Sequence, residues 1–335
     1  MQQFLNKGGL AGLQRLHILK NICLLFVVAF VFICTGCGYG ADEKVNEKIT
    51  IVTTTFPPYD FARELAGKNA EISMLLRPGM ESHAYEPSPA DIIAIENCDL
   101  FIYNGGESDA WVETLIENIN SPDFHKIKMI ECVEALEEEE LIGTEEHNHL
   151  DEGGTAEYDE HVWTSPLNAI KICENILNEL IKIDIENKQV FQENFLKYKS
   201  ELYDLDEEIR NIVEKSDFDT MIFADRFPFR YFAEEYDIEY RAAFPGCSSQ
   251  SEPSVKTVAY LIDKIKQDNI KNIFYIEFSN KRLANAIQDE TGALPLLFHS
   301  CHNVTVDELN SGCTYLSLMK NNIINLKEAL YNETN

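Results

Sequence analysis

The sequence is poor in positive charge: 28 lysines and arginines face 57 aspartates and glutamates, a net charge of −29 over 335 residues. So acidic a surface repels nucleic acid and anionic lipid and favours cations, which excludes nucleic acid as a partner. The first 36 residues lack acids altogether and carry Lys7, Arg15 and Lys20, so their removal would take the net charge to −32. CxxC pairs are missing among the six cysteines beyond Cys37 (Cys98, Cys132, Cys173, Cys247, Cys301 and Cys313). Scattered cysteines in a large domain exclude a zinc ribbon and a small disulfide scaffold, while leaving one unassigned disulfide open. The motifs HExxH and GxSxG are also absent, and no acid stands beside a histidine with the spacing of a general-base motif, which weighs against an extracytoplasmic zinc hydrolase.

What is present begins with a leader. The apolar run Ile22 to Cys34 has thirteen residues, too short to span a bilayer comfortably but suited to the apolar region of a signal peptide. It ends in "CTGC", where Thr35 and Gly36 precede Cys37. This resembles a bacterial lipobox, with Cys34 where a leucine is usual. It implies cleavage after residue 36 and lipid attachment through Cys37, an uncleaved N-terminal anchor being the alternative. Either way the remainder works outside the cytoplasm, held at the cell membrane.

After a linker to residue 48, strand and helix signals alternate. "ITIVTTTF", "AEISMLL", "DLFIYNGG" and part of "HKIKMIECVEAL" read as strands, separated by helices such as "SPADIIAIENC", where Ser88 caps and Pro89 opens the first turn. This rhythm predicts an α/β lobe with a parallel sheet over 49–165, covered on both faces. Residues 137–160 interrupt it with eleven acids, no Lys or Arg, and His147 and His149. That stretch cannot bury a core and reads as a surface loop, with a weak cation-gathering role as its functional alternative. Over 166–216 the spacing of Phe191, Phe195, Tyr198, Leu202, Leu205, Ile209 and Ile212 draws one apolar stripe on a long helix, a rigid strut between halves. The alternation resumes over 217–335, with strands "DTMIFA", "YRAAFPG", "KNIFYIE" and "LPLLF". The halves share a rhythm but no convincing residue-level repeat.

In parallel sheets ligands gather beyond the carboxyl ends of strands. His83 lies there in the Pro-bounded segment "RPGMESHAYEPSPADI", and His161 precedes a second Ser-Pro helix start. In the second half Asp225, Glu277 and His299 follow strands. Imidazole nitrogens and carboxylate oxygens are the donors a divalent transition metal needs.

The segments "FPPYDFARELAG", "RPGMESHAYEPSPADIIAIENCDLFIYNG", "DEHVWTSPLNAIKICENI", "DRFPFRYFAEEY" and "IEFSNKRLANAIQDETG" resemble the metal-binding lipoproteins of zinc and manganese ABC transporters, zinc-uptake branch, over nearly all of 49–332. The resemblance implies two α/β lobes joined by one long helix, with the metal between them. It implies a monomeric solute-binding lipoprotein, not an enzyme, that delivers Zn2+, or alternatively Mn2+, to an ABC permease. A surface adhesin of the same fold is a further reading. His83 and His161 match the first-lobe ligands. Glu277 matches a carboxylate ligand of some zinc members, and His299 stands where manganese members place an Asp. Many relatives open the segment that here reads "ADRFPFRYF" with His or Glu, and this chain has neither; Asp225 is the nearest acid, with Arg226 beside it as the alternative occupant of the expected position.

Overall fold

Each half of the chain builds a four-stranded parallel sheet, and the two sheets repeat one strand order. The computed structural model describes residues 48–82, 85–119, 124–139, 158–246 and 253–331. The leader with Cys37, the loop histidines His147 and His149, and His83 itself lie outside the described residues.

In the first lobe β1 (Ile49–Thr53), α1 (Phe56–Ala66), β2 (Ala70–Met74), α2 (Pro89–Glu96), β3 (Leu100–Tyr103), α3 (Ala110–Ile116) and β4 (His125–Lys128) form a sheet of order β2-β1-β3-β4. The β-branched run of β1 is central, pairing with β2 through Ile51 opposite Ile72 and with β3 through Ile51 opposite Leu100. Ser88 caps α2 in a reciprocal capping box with Asp91, behind which Pro89 opens the helix. Ser165 caps the helix that opens at Pro166 in a simpler way, its hydroxyl accepting from the Asn168 N–H at 3.2 Å.

Two helices connect the lobes, α4 (Pro166–Ile183) and α5 (Lys188–Glu214). At 27 residues α5 is about 40 Å long, given 1.5 Å per residue. All seven residues of its apolar stripe are buried. It packs on α1 and α4 on one side and on later helices of the second lobe on the other, which makes it a strut.

The second lobe comprises β5 (Thr220–Phe227), α6 (Arg230–Tyr236), β6 (Glu239–Pro245), α7 (Val255–Gln267), β7 (Asn272–Tyr275), α8 (Arg282–Thr291), β8 (Leu294–Leu297), α9 (Val306–Asn310) and α10 (Tyr315–Leu330). Its order β6-β5-β7-β8 places the strands as in the first lobe. In both, the chain reverses direction across the sheet beside the first strand, the kind of crevice where ligands bind.

One apolar core runs through both lobes, including Phe61 and Trp163 from the first and Phe298 and Tyr315 from the second. Phe61 meets Tyr315 edge-on at 5.1 Å, and the Tyr315 hydroxyl donates to the Trp163 carbonyl at 2.7 Å. Burial this continuous resists parting the lobes, because separation would return aromatic surface to water. The five described cysteines are free thiols, and no described helix is long and apolar enough to cross a membrane.

Candidate metal site

The strand ends of both lobes enclose a cavity of about 40 Å³, lined among others by His161, His302, Glu277, Arg226, Ser82 and Ser300. Its size suits a small ion with its immediate ligands.

His161 enters from the short turn before α4 and is 1 % exposed. Its Nδ1 stands 3.0 Å from Asp159 Oδ1, which also accepts the His161 backbone N–H at 2.7 Å. A carboxylate on Nδ1 fixes the ring and leaves the Nε2 lone pair as the donor. Burial pulls the imidazole pKa down, but Asp159, with smaller help from Glu160 and Glu138, outweighs it, so the net direction is up. On the far side, Gly246 ends β6 against the ring. A Cβ there would lie 3.0 Å from the Phe227 carbonyl and 3.4 Å from His161 Cε1, so this close approach favours glycine.

His302 faces His161 across the cavity, with ring centroids 5.3 Å apart and planes at 83°. Trp163, wholly buried, packs against both rings at 5.4 and 5.1 Å. His302 is carried by the loop after β8, whose turn is made by Cys301 in the left-handed region at φ 63°. Four hydrogen-bonding groups dock that loop on the first lobe. The Trp163 indole donates to the Ser300 carbonyl at 2.8 Å and the Phe56 N–H to the His302 carbonyl at 3.3 Å. Asn303 Nδ2 donates to the carbonyls of Arg77 and Met80, both at 2.8 Å, and the Gly79 N–H donates to the Val304 carbonyl at 2.8 Å. The second lobe's histidine loop is therefore fastened to the segment that leads into His83.

Carboxylates complete the surroundings. Glu277, just past β7, accepts the Ser300 N–H at 2.8 Å on one oxygen and the Ser300 hydroxyl on the other. Glu160, His161 and His302 each bring a donor atom within 4.8 Å of one another, the one such cluster of three among the described residues. Glu160 is fully buried and held by the Ser108 N–H at 3.0 Å and hydroxyl at 2.6 Å. Burial, then the charge of Glu160, pushes the neighbouring Asp109 carboxyl up to about 7, even though it accepts from Asn104 N at 2.6 Å.

Of the residues expected from sequence, His161 and Glu277 thus reach one cavity. His299 and Asp225 do not line it. The His299 Nδ1 lone pair is taken by the Cys301 N–H at 2.9 Å, and its backbone N–H and carbonyl are both bound by the Asn322 side chain. Its ring stands 3.7 Å from Glu277 and 3.8 Å from Glu308, as a buried buttress behind the wall. Asp225 turns back on the chain, accepting the Arg226 N–H at 2.9 Å, and burial pushes its carboxyl up. Arg226, not Asp225, faces the cavity. His302 was missed. The pattern "FHSCHN" contained both histidines, but strand-end position favours the nearer, and the left-handed turn at Cys301 that presents the farther one is not legible in spacing.

Residues 51–329 match the family described as zinc-uptake complex component A, periplasmic. The chain belongs to this zinc-uptake component family. Two relatives illustrate the range. The zinc-binding lipoprotein AdcA of Streptococcus pneumoniae is 30% identical over 317 residues, covering 93% of this chain but 60% of AdcA, so the chain spans less than two thirds of that relative's length. The high-affinity zinc uptake system protein ZnuA of Bacillus subtilis is 30% identical over 314 residues, covering 91% of this chain and 97% of its own. Among solved structures, the Zn(II)-bound ZnuA-like domain of S. pneumoniae AdcA superposes with a TM-score of 0.70 at 27% identity, covering 85% of this chain and all of that domain. A laminin-binding adhesin of Streptococcus agalactiae reaches 0.72 at 25% identity, covering 84% of this chain and 99% of its own. The zinc-uptake family is one of binding and transport.

Proposed function

We propose that the protein is an extracytoplasmic solute-binding lipoprotein, anchored through Cys37, that captures zinc and delivers it to an ABC permease. The single observation carrying this reading is the pair of facing imidazoles, His161 from the first lobe and His302 from the second, in a cavity of ion size with Glu277 in its wall. His83, on the segment pinned by Asn303, is the third nitrogen, and Glu277 or Glu160 the carboxylate. Three nitrogens and one oxygen suit tetrahedral zinc better than manganese, which prefers oxygen-rich octahedral sites. Ligands drawn from both lobes describe capture rather than hydrolysis. Names of the relatives agree: they are zinc-binding and zinc-uptake proteins.

Elemental analysis of the purified chain, with competition between zinc and manganese, tests the reading. One tightly held zinc per chain, lost on replacing His302 with Ala, is the expected result. Preferential retention of manganese, or zinc binding indifferent to both His161 and His302, would end it.

A further inference from the structure

Among the described residues lining the cavity, Arg226 is the one with a permanent positive charge, which opposes a metal ion. A guanidinium has no lone pair to offer and stays protonated at any physiological pH, so it cannot be a ligand. Its placement is nonetheless built. The β5–β6 register shifts between Phe223 and Arg226, and an irregularity of this kind re-aims the side chains that follow it. The Asp225 carboxylate then clasps the Arg226 N–H at 2.9 Å. Across the cavity mouth Arg226 Nη1 lies 3.6 Å from Glu81 Oε2. Glu81 belongs to the first lobe and stands two residues before His83. The pair therefore bridges the lobes next to the segment docked on the His302 loop, whose Met80 carbonyl accepts from Asn303.

Resting on the zinc-capture reading, we propose that Arg226 is an affinity-setting residue: a fixed cation in the wall that repels the incoming dication and so keeps the metal releasable. Glu81 shields part of that charge. Being partly exposed, the pair holds its partners loosely, and the guanidinium keeps acting on whatever occupies the cavity. Zinc and manganese carry the same charge, so the repulsion weakens both by the same factor. The zinc-to-manganese ratio stays with the nitrogen ligands, while the weaker metal is pushed below useful occupancy.

The experiment measures dissociation constants for zinc and manganese, and chelator-triggered zinc release, on the full chain in detergent. It compares the parent with Arg226→Met, Arg226→Lys and Glu81→Gln, each with its thermal unfolding recorded. Arg226→Met should tighten both metals by a common factor, on the order of tenfold, and slow release. Arg226→Lys, which keeps the charge without the planar fork, should bind as the parent does. Glu81→Gln, which unshields the cation, should weaken both metals. Should the parent bind zinc tightly while Arg226→Met binds equally or more weakly, the inference fails and the functional reading stands. The inference fails too if Arg226→Lys behaves like Arg226→Met, because geometry rather than charge would then be the cause. A parent chain with no tight zinc site sinks both.

Discussion

The two lobes share a strand order, yet they do opposite things at their strand ends. In the first lobe the polar residues around the site are tied inward: Asp109 to the backbone of Asn104 and Gly105, Glu160 to Ser108, and Asp159 to His161. Of these, Asp159 holds the His161 imidazole directly. In the second lobe the corresponding ends put unlike groups on the cavity wall, His302, Glu277 and Arg226. Repeating the topology repeats the location of the loops and nothing of their chemistry. The strand ends are where a parallel sheet exposes its connections, and connections are free to vary because no ladder constrains them.

The strongest way to break this comparison is to remove one imidazole from each lobe. His161→Ala and His302→Ala should each weaken zinc binding by orders of magnitude while circular dichroism stays that of the parent, since the facing rings are donors of equal standing. His299→Ala should instead lower the unfolding temperature and cost less zinc affinity, because that ring buttresses Glu277 and the Cys301 turn. Calorimetric titration beside thermal melts separates the two patterns. Equal loss of affinity in His299→Ala would return that residue to the ligand set.

Asn303→Ala sharpens the comparison by unfastening the lobes at the site. Two carbonyls of the His83-bearing segment lose their donor, which should destabilise the protein by about 1–3 kcal/mol. Zinc should also leave faster, since His302 and the segment entering His83 would no longer be held together. Stopped-flow release and denaturant unfolding read both effects.

A third prediction concerns pH. Asp60 on α1 is fully buried, accepts the Tyr315 N–H of the second lobe at 2.7 Å and pairs with Arg63, whose guanidinium also reaches the Cys313 carbonyl at 3.0 Å. Burial pushes its carboxyl up to about 6, against the opposing pull of Arg63 and the Tyr315 N–H. The folded state then holds this proton more tightly than the unfolded chain, where the group titrates near its ordinary 3.8. Its stabilising contribution is full below that value and is lost as pH rises through about 6. Asp60→Asn should therefore show a smaller fall in stability than the parent between about pH 4 and 7. Identical slopes in the two proteins would refute this.

The smallest effect is expected from the acidic loop. Deleting residues 141–156 spares Glu139, which bonds Tyr240 and pairs with Arg230 at 3.1 Å. Weak extra metal binding should disappear, and the tight site should remain. Loss of the tight site on titration would make His147 or His149 a primary ligand.

All eight strands, the Ser-Pro starts of α2 and α4, and the buried stripe of α5 could be read from the chain alone. Each rests on near neighbours: β-branched runs, a cap and its proline, a repeat of three and four residues. His161 was readable for the same reason, since the segment around it sets its own turn. The second-lobe wall was not. Which of Asp225 and Arg226 faces the cavity depends on an irregularity in pairing with β6, a strand more than ten residues away. Which of His299 and His302 does so depends on a left-handed Cys301 and on five hydrogen bonds to the other lobe. Local pattern determines which elements form, because helices and strands close their hydrogen bonds by rule. Long-range packing decides which side of a loop residue faces the cavity, because a loop has no such rule and takes its direction from what it docks against.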